Sequence, residues 1–250
     1  MNLELVKKAF DEYVSHYDIT IKEIRLKYHH SYKVMDLMKE LSGLLNLSKE
    51  ETDVAQIIGL LHDIGRFEQF KEFNTLFDER SVDHADESVV YLFDKCHIRD
   101  FITEDKYDEI IRQAIKNHNK KYIDENITDE KELFFAKMIR DCDKIDLYRN
   151  YAVDHELVFK AEDVRESILD EFNKNGIIDV STKKTKSEVV IVVLGFLFDI
   201  NFDESYDLLV ETDNFDLFLG SIDVDENSEK LWKKLREICF DKINKGVNND

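Results

Sequence analysis

An apolar segment of the chain ends in two adjacent ionisable residues, and this pattern limits how the chain can fold. Residues 57–61 read Ile-Ile-Gly-Leu-Leu, and His62 and Asp63 follow directly. A histidine and an aspartate among isoleucines and leucines are costly to bury unless a partner replaces the lost water. A bound cation would be such a partner. The rest of the fold would then have to bring further ligands to the same place.

The composition favours helices. The 250 residues include no proline and only seven glycines, and these are the two residues that most weaken a helix interior. Apolar residues recur every three or four positions from Leu3 to Val14 and from Leu26 to Leu44, which is the spacing of one buried helical face. We therefore predict an all-α fold.

Local signals place several helix ends. Ser48 and Glu51 have the spacing of a capping box at a helix start, and Gly65 suits the C-cap of the same helix. Gly59 would let a neighbouring helix come close. Residues 66–83 show no clear period and are expected to form a loop beside the site.

Further helices are predicted on both sides of the middle of the chain. Asp83 would cap a helix that begins at His84, and Thr128 would start the helix that carries Asp143. Hydrophobic spacing predicts the remaining helices from about Glu104 and near 162–174, 187–201, 203–211 and 227–244, with 173–186 as an exposed connection. We find no repeat or flexible linker and predict one domain over 1–250, with a core at about 20–150 and a helical extension at about 151–250.

Charge and hydropathy narrow the partners. A net charge of -20 disfavours binding to nucleic acid polymers or anionic membranes, since both need a basic surface. It allows a small anionic substrate if bound cations create a local positive site. The longest apolar run, 189–200, is too short to cross a bilayer, and the N-terminus resembles a helix and not a signal peptide. We expect a cytoplasmic protein. A homodimer contact is one expected role of the apolar residues in the C-terminal part of the chain.

Three cysteines, Cys96, Cys142 and Cys239, lie far apart. Their odd number and the lack of a CxxC spacing argue against disulfides and a zinc ribbon, so small buried thiols are expected.

Several histidines and aspartates share the inward face of their predicted helices. His30 lies between Leu26 and Val34, and His118 and Asp143 follow Ala114 and Ile139 one turn earlier. Together with His62, Asp63 and His84, these residues would be expensive to bury without a shared partner. Imidazole and carboxylate groups are ligands for zinc, manganese and iron, and carboxylates for magnesium. We expect the set to converge on one metal site.

The motifs that carry these residues resemble the HD superfamily of metal-dependent phosphohydrolases. They are His30-Ser-Tyr-Lys-Val, Leu-His62-Asp63-Ile-Gly and Cys-Asp143-Lys-Ile-Asp, and they span about residues 25–150. The resemblance implies an all-α HD-domain helical bundle in which His30, His62, Asp63 and Asp143 bind one divalent cation (Mn, Mg, Co, Zn or Fe).

The resemblance also concerns two further histidines. His84 and His118 resemble residues that bind a second ion in two-metal members, with Asp63 bridging. In one-metal members, the corresponding residues face the substrate or a water on the metal. Both alternatives are open at this point.

The resemblance implies hydrolysis of a phosphate ester of a small molecule, with nucleotides as the favoured class, by a metal-activated water. Asp63, His84 and His118 would be catalytic. Arg66, Lys144 and Arg80 are candidate phosphate clamps, because cations near a metal can hold phosphate; surface ion pairs are the alternative for each. Two rival functions fit the same ligands, namely a di-iron HD-type oxygenase and a non-catalytic regulatory or binding module that the metal staples together.

Simpler roles are expected for the remaining polar and aromatic residues. Asp146 would support a ligand from behind, and Asp141 would face solvent. Four further histidines are expected to be structural or exposed: His16, His29, His97 and His155. Four phenylalanines are expected in the core or in a pocket wall: Phe67, Phe70, Phe73 and Phe77.

Overall fold

A computed structural model describes residues 2–154 and 156–247, so His155 lies outside the described residues. Its α-helices are α1 (Leu3–Val14), α2 (Lys22–Leu44), α3 (Lys49–Leu61), α4 (Gly65–Phe73), α5 (His84–Val89), α6 (Ile98–Phe101), α7 (Asp108–Asn117), α8 (Glu130–Asp154), α9 (Glu166–Asn175), α10 (Lys186–Gly195), α11 (Asp203–Glu211), α12 (Asn214–Gly220) and α13 (Glu229–Val247). The predicted all-α fold is confirmed. Within the described ranges, no helix is long and apolar enough to cross a membrane.

Two short strands, which the sequence patterns did not predict, accompany the helices. Strands β1 (Leu157–Phe159) and β2 (Ile222–Val224) are three residues each and pair in parallel, with Leu157 opposite Ile222. The chain divides into two compact units, Met1–Asp143 and Lys144–Asp250, and helix α8 runs across the division. The prediction of a single domain with a helical extension stays a prediction.

A close approach of two helices holds the first unit together. A Cβ atom added at Gly59 of α3 would lie 2.8 Å from the Cα of Met35 on α2, which is closer than real Cβ atoms come. Only glycine therefore allows this packing, as the sequence predicted. Val34, Met38, Ile57 and Ile58, which lie on these two helices, are fully buried.

The start of α3 was predicted correctly and its end was not. Ser48 and Glu51 form the expected capping box. Gly65, however, is not a C-cap, because α3 ends at Leu61 and Gly65 begins α4. A Cβ at Gly65 would lie 2.6 Å from the backbone nitrogen of Ser88. The glycine is needed where α4 packs against α5, and this contact between distant residues leaves no local signal.

The loop predicted over 66–83 is half helix. Helix α4 occupies its first part and ends at Asn74, whose φ of 53° is left-handed. The helix forms because Phe67 is buried against aromatic rings near the N-terminus, with centroids 5.7 Å from Tyr13 and 5.4 Å from Tyr17. Asp83 caps α5 as predicted, through its side chain and the backbone N–H groups of the next turn.

Some exposure predictions were wrong. Phe73 and Phe77 are exposed and not in the core; Phe73 is the last residue of α4, and Phe77 lies in the segment that follows it. Cys96 is also exposed, whereas Cys142 and Cys239 are buried as expected.

The second unit has an aromatic core of its own. The ring of Tyr148 on α8 lies 5.1 Å from that of Phe215 and 5.5 Å from that of Phe218, both on α12. The Asn214 side chain, at the start of α12, donates a hydrogen bond to the carbonyl oxygen of Ile145. Helix α12 was not predicted, since seven residues are too few to show a helical period. By contrast, α11 has the predicted bounds.

Candidate metal centre

The six side chains that the sequence predicted as metal ligands come together in the first unit. They come from different helices: His30 from α2, the His62–Asp63 pair from the turn after α3, His84 from the first residue of α5, His118 from the residue after α7, and Asp143 from α8. All six are buried. Four of them lie at helix ends, where the backbone can turn a side chain inward without breaking a regular helix.

One set of ligands surrounds the first histidine. The Nε2 atom of His30 is 3.0 Å from Oδ1 of Asp143 and 3.3 Å from Nε2 of His62. Oδ2 of Asp63 is 3.6 Å from the Nε2 atoms of both His30 and His62. Two nitrogens and two carboxylate oxygens thus face one small volume.

A second set lies on the other side of Asp63. The Nε2 atoms of His84 and His118 are 3.0 Å apart, and Oδ1 of Asp63 is 3.3 Å from the first and 3.5 Å from the second. Each oxygen of the Asp63 carboxylate therefore faces a different set. Asp63 thus belongs to both sets, and the sets adjoin each other, because ligand atoms of His62, His118 and Asp143 also lie within 4.8 Å of one another.

Hydrogen bonds fix the orientation of three imidazole rings. Nδ1 of His62 donates to the carbonyl oxygen of Gly59 at 2.8 Å, and Nδ1 of His118 donates to that of Ile115 at 2.7 Å. Nδ1 of His84 donates to Oδ2 of Asp78 at 2.6 Å. Since these acceptors carry no proton, each Nδ1 must be the protonated nitrogen. Each Nε2 then faces the centre, as the ligating nitrogen of a metal-binding histidine does.

The buried donor atoms include a polar group that the protein itself leaves without a hydrogen-bond partner and that a cation would satisfy. Burial, with Arg66 nearby, lowers the pKa of His84 to about 4, and burial also lowers the pKa of His62. The rings of His62 and His84 are therefore neutral, and Nε2 of His84 lies 3.0 Å from Nε2 of His118. Oδ1 of Asp63 is buried without a hydrogen-bond partner. The residues present fit a divalent cation at both sets.

Comparison with known families agrees with this geometry. A protein-family model with the description "HD domain" matches residues 28–148 of the chain. This part of the chain belongs to the HD superfamily. HD domains bind divalent metals, and the family consists mostly of metal-dependent hydrolases. No curated protein and no solved structure matches the chain.

Two cations flank the shared carboxylate of the HD domain, and the sequence prediction named only one. Nζ of Lys27 is 2.7 Å from Oδ2 of Asp63, and Nε of Arg66 is 3.8 Å from Oδ1. Burial alone would raise the pKa of Asp63, but Lys27 and the histidines beside it hold that pKa well below its usual range. Lys27 precedes His30 by three residues, so its place on the same helical face was a usable signal.

Asp78 is the second residue that sequence reasoning missed. It accepts hydrogen bonds from His84 and, through Oδ1, from Nη1 of Arg66 at 2.6 Å. Gln69 also donates to this oxygen. Asp78 begins a 3-10 helix of three residues, Asp78–Arg80, which is too short for a periodic pattern to indicate which way its side chain points.

The other predicted clamps have different surroundings. Lys144 is buried and pairs with Asp199 at 2.8 Å, which favours a structural role. Arg80 is exposed and stacks on the ring of Phe77.

Two aspartates near the ligand helix are both buried. Asp141 is fully buried, so the prediction that it faces solvent was wrong. It lies on the inner face of α8, next to the buried Arg140. Asp146 is also buried, and its side chain accepts hydrogen bonds from Arg149 and Asn150; its predicted support of a ligand stays a prediction.

The histidines outside the set agree with their simple interpretation. His16 and His29 are exposed. His97 is partly exposed, and its Nδ1 lies 2.8 Å from a carboxylate oxygen of Asp100.

Proposed function

We propose that this chain is a metal-dependent phosphohydrolase that cleaves a phosphate ester of a small molecule, with nucleotides as the class favoured by its family. One observation carries the proposal: the two oxygens of Asp63 face two separate sets of inward-pointing nitrogen and oxygen donors. Paired sites of this kind suit the attacking and leaving oxygens of a displacement at phosphorus.

The donor set favours two cations and restricts their identity. In the proposed assignment, His30, His62, Asp63 and Asp143 hold the first cation, and His84, His118 and Asp63 hold the second. Four imidazole nitrogens favour manganese, cobalt, zinc or iron over magnesium, which prefers oxygen ligands.

The chain's own residues have distinct parts in the proposed reaction. Bound divalent cations would supply a water of lowered pKa and would offset negative charge on the phosphoryl oxygens. Asp63 contributes one oxygen to each set and so fixes the separation of the two sets. Hydrogen bonds at Nδ1 hold the rings of His84 and His118, which favours metal binding over proton transfer. Arg66 borders the second set, where its Nε, which has no hydrogen-bond partner, can donate to a phosphoryl oxygen. Asp78 holds Arg66 and His84 in place.

A hydrolysis screen tests the proposal. The purified full chain would be loaded separately with Mn, Mg, Co, Zn and Fe and offered phosphomonoesters, phosphodiesters and nucleotides. We expect phosphate release that depends on the metal and is lost in the Asp63→Ala variant. If the metal-loaded chain releases no phosphate from any of these compounds, the proposal is wrong.

A di-iron oxygenase is the second candidate, because the same nitrogen-rich set suits iron. Protein purified without air distinguishes the two functions. Stoichiometric iron with oxygen consumption would favour the oxygenase, whereas phosphate release without oxygen consumption would favour the hydrolase. Bound metal with neither reaction would leave the non-catalytic module.

A further inference from the structure

Lys27 is a cation at the site that no ligand assignment uses. It lies on α2 three residues before His30, and only 12% of its side chain is exposed. Among residues 2–154 and 156–247, Oδ2 of Asp63 is the one acceptor of its ammonium group, at 2.7 Å. An ammonium has three N–H donors. Two of these donors are therefore available in a buried place beside the first ligand set.

The charges near Lys27 indicate what these donors would bind. Asp63 and Asp143 contribute two negative charges, and the two proposed divalent cations together with Lys27 would contribute five positive charges. Two cations that share one carboxylate oxygen repel each other at low dielectric. An anionic oxygen that contacts both of them would remove this repulsion. A phosphoryl oxygen has the required charge and accepts charge-assisted hydrogen bonds.

Lys27 makes fewer hydrogen bonds than Arg66, the other cation at the site, whose Nη2 also contacts Nε2 of His84. Nη1 of Arg66 already donates to Gln69, to the carbonyl oxygen of Leu76 and to Asp78, at 2.6–2.7 Å. The ammonium of Lys27 is a compact charge on a flexible stem. It can keep its bond to Asp63 and donate to a second oxygen at the same time.

We propose that Lys27 contacts the substrate by donating a hydrogen bond to a phosphoryl oxygen that does not leave in the reaction. This assignment rests on the proposed phosphohydrolase function and adds a residue to it. Lys27 would hold the phosphate against the first ligand set, while Asp63 keeps its ammonium in position.

Phosphate binding to the full chain tests this role without catalysis. Lys27→Met removes the charge and keeps the side-chain bulk. Lys33→Met is the matched control, because Lys33 is exposed on the same helix. Each protein would be loaded with Mn²⁺, its metal content measured, and its affinity for inorganic phosphate determined by calorimetry.

We expect both variants to retain manganese. Phosphate affinity in Lys27→Met should fall about tenfold to a hundredfold relative to the control, the loss expected for one hydrogen bond to a charged group. An affinity within twofold of the control would overturn the inference, and so would loss of manganese from Lys27→Met, because Lys27 would then organise the ligands. The inference also fails if the manganese-loaded wild-type chain binds no phosphate.

A second variant covers the case in which Lys27→Met does not fold. Lys27→Gln keeps a donor for Asp63 and removes the charge, so the same weakening is expected, and an affinity equal to the control's would contradict us. Failure of the proposed function looks different, since it would appear as phosphate binding without hydrolysis of any ester. Hydrolysis together with unchanged phosphate affinity in the variants would remove only the role of Lys27.

Discussion

Each unit of the molecule contains a buried carboxylate, Asp63 in the first and Glu188 in the second, and the two differ in their hydrogen bonds. In the second unit, Oε1 of Glu188 accepts from the side chain of Arg165 at 2.6 Å and from its backbone nitrogen at 3.2 Å. Oε2 accepts from Arg165 again and from the backbone nitrogen of Lys184. In the first unit, Asp63 has Lys27 on Oδ2 and no hydrogen-bond partner on Oδ1.

The difference separates a carboxylate that the protein itself satisfies from one that it leaves incomplete. Buried polar groups are costly unless their hydrogen bonds are made. The protein itself completes the bonds of Glu188, so that residue needs nothing from outside. Asp63 is left incomplete, and the Nε2 atoms of His84 and His118 lie within 3.5 Å of its unpaired oxygen. An incomplete shell of this kind is consistent with an external cation.

The largest expected effect comes from removing the shared carboxylate. Asp63→Ala should lose both cations and lower kcat/KM by at least about a thousandfold, because it serves both ligand sets and catalysis depends on the metals. Metal analysis and a phosphate-release assay would measure the two losses. Asp36→Ala, an exposed change on α2, is the control. Full metal content in Asp63→Ala would break the comparison between the two carboxylates.

His84→Ala should separate the two ligand sets. One cation should remain on His30, His62, Asp63 and Asp143, while kcat falls about a hundredfold or more because the second cation is lost. Metal stoichiometry and steady-state kinetics provide the measurement. His29→Ala, at an exposed histidine, is the control. Retention of full activity in the His84 variant would rule out its place in the site.

A substitution at Glu188, in the second unit, should change the stability of the protein and leave its metal binding unchanged. Glu188→Gln should lower the free energy of unfolding by about 1–3 kcal/mol, because a charged acceptor of several hydrogen bonds is lost. Urea unfolding would measure the change, and Glu162→Gln, at an exposed glutamate in the same unit, is the control. Metal content should match that of the wild type. Metal loss in the Glu188 variant would contradict the assignment of separate roles.

The smallest expected effect is a pH dependence of that stability difference. Hydrogen bonds from Arg165 lower the pKa of Glu188 to about 2, against an ordinary value of 4.5. A depressed pKa stabilises the fold above the ordinary value, and this contribution is lost as the pH falls from about 4.5 toward 2. The gap between wild type and Glu188→Gln should therefore be constant near neutral pH and shrink below about pH 4.5. A gap that widens in acid would be opposite to this prediction.

Local sequence patterns predicted much of the fold. The capping box at Ser48, the cap at Asp83 and the bounds of α11 could be predicted because each depends on residues within a few positions of one another. The six residues of the candidate metal centre were also identifiable, since each lies on an apolar helical face or at a helix end. Burial repeats every three or four residues along a helix, so a polar residue in such a row is visible in the sequence.

The tertiary structure alone decided the features that depend on contacts between distant residues. Gly65 serves the packing of α4 on α5 and not a helix end. Asp78 holds His84 and Arg66 from a 3-10 helix of three residues. The division of the ligands into two sets follows from which oxygen of Asp63 faces which imidazole ring. The direction of a lone pair depends on the rotation of a side chain against its neighbours in the fold, and the order of residues along the chain does not encode it directly.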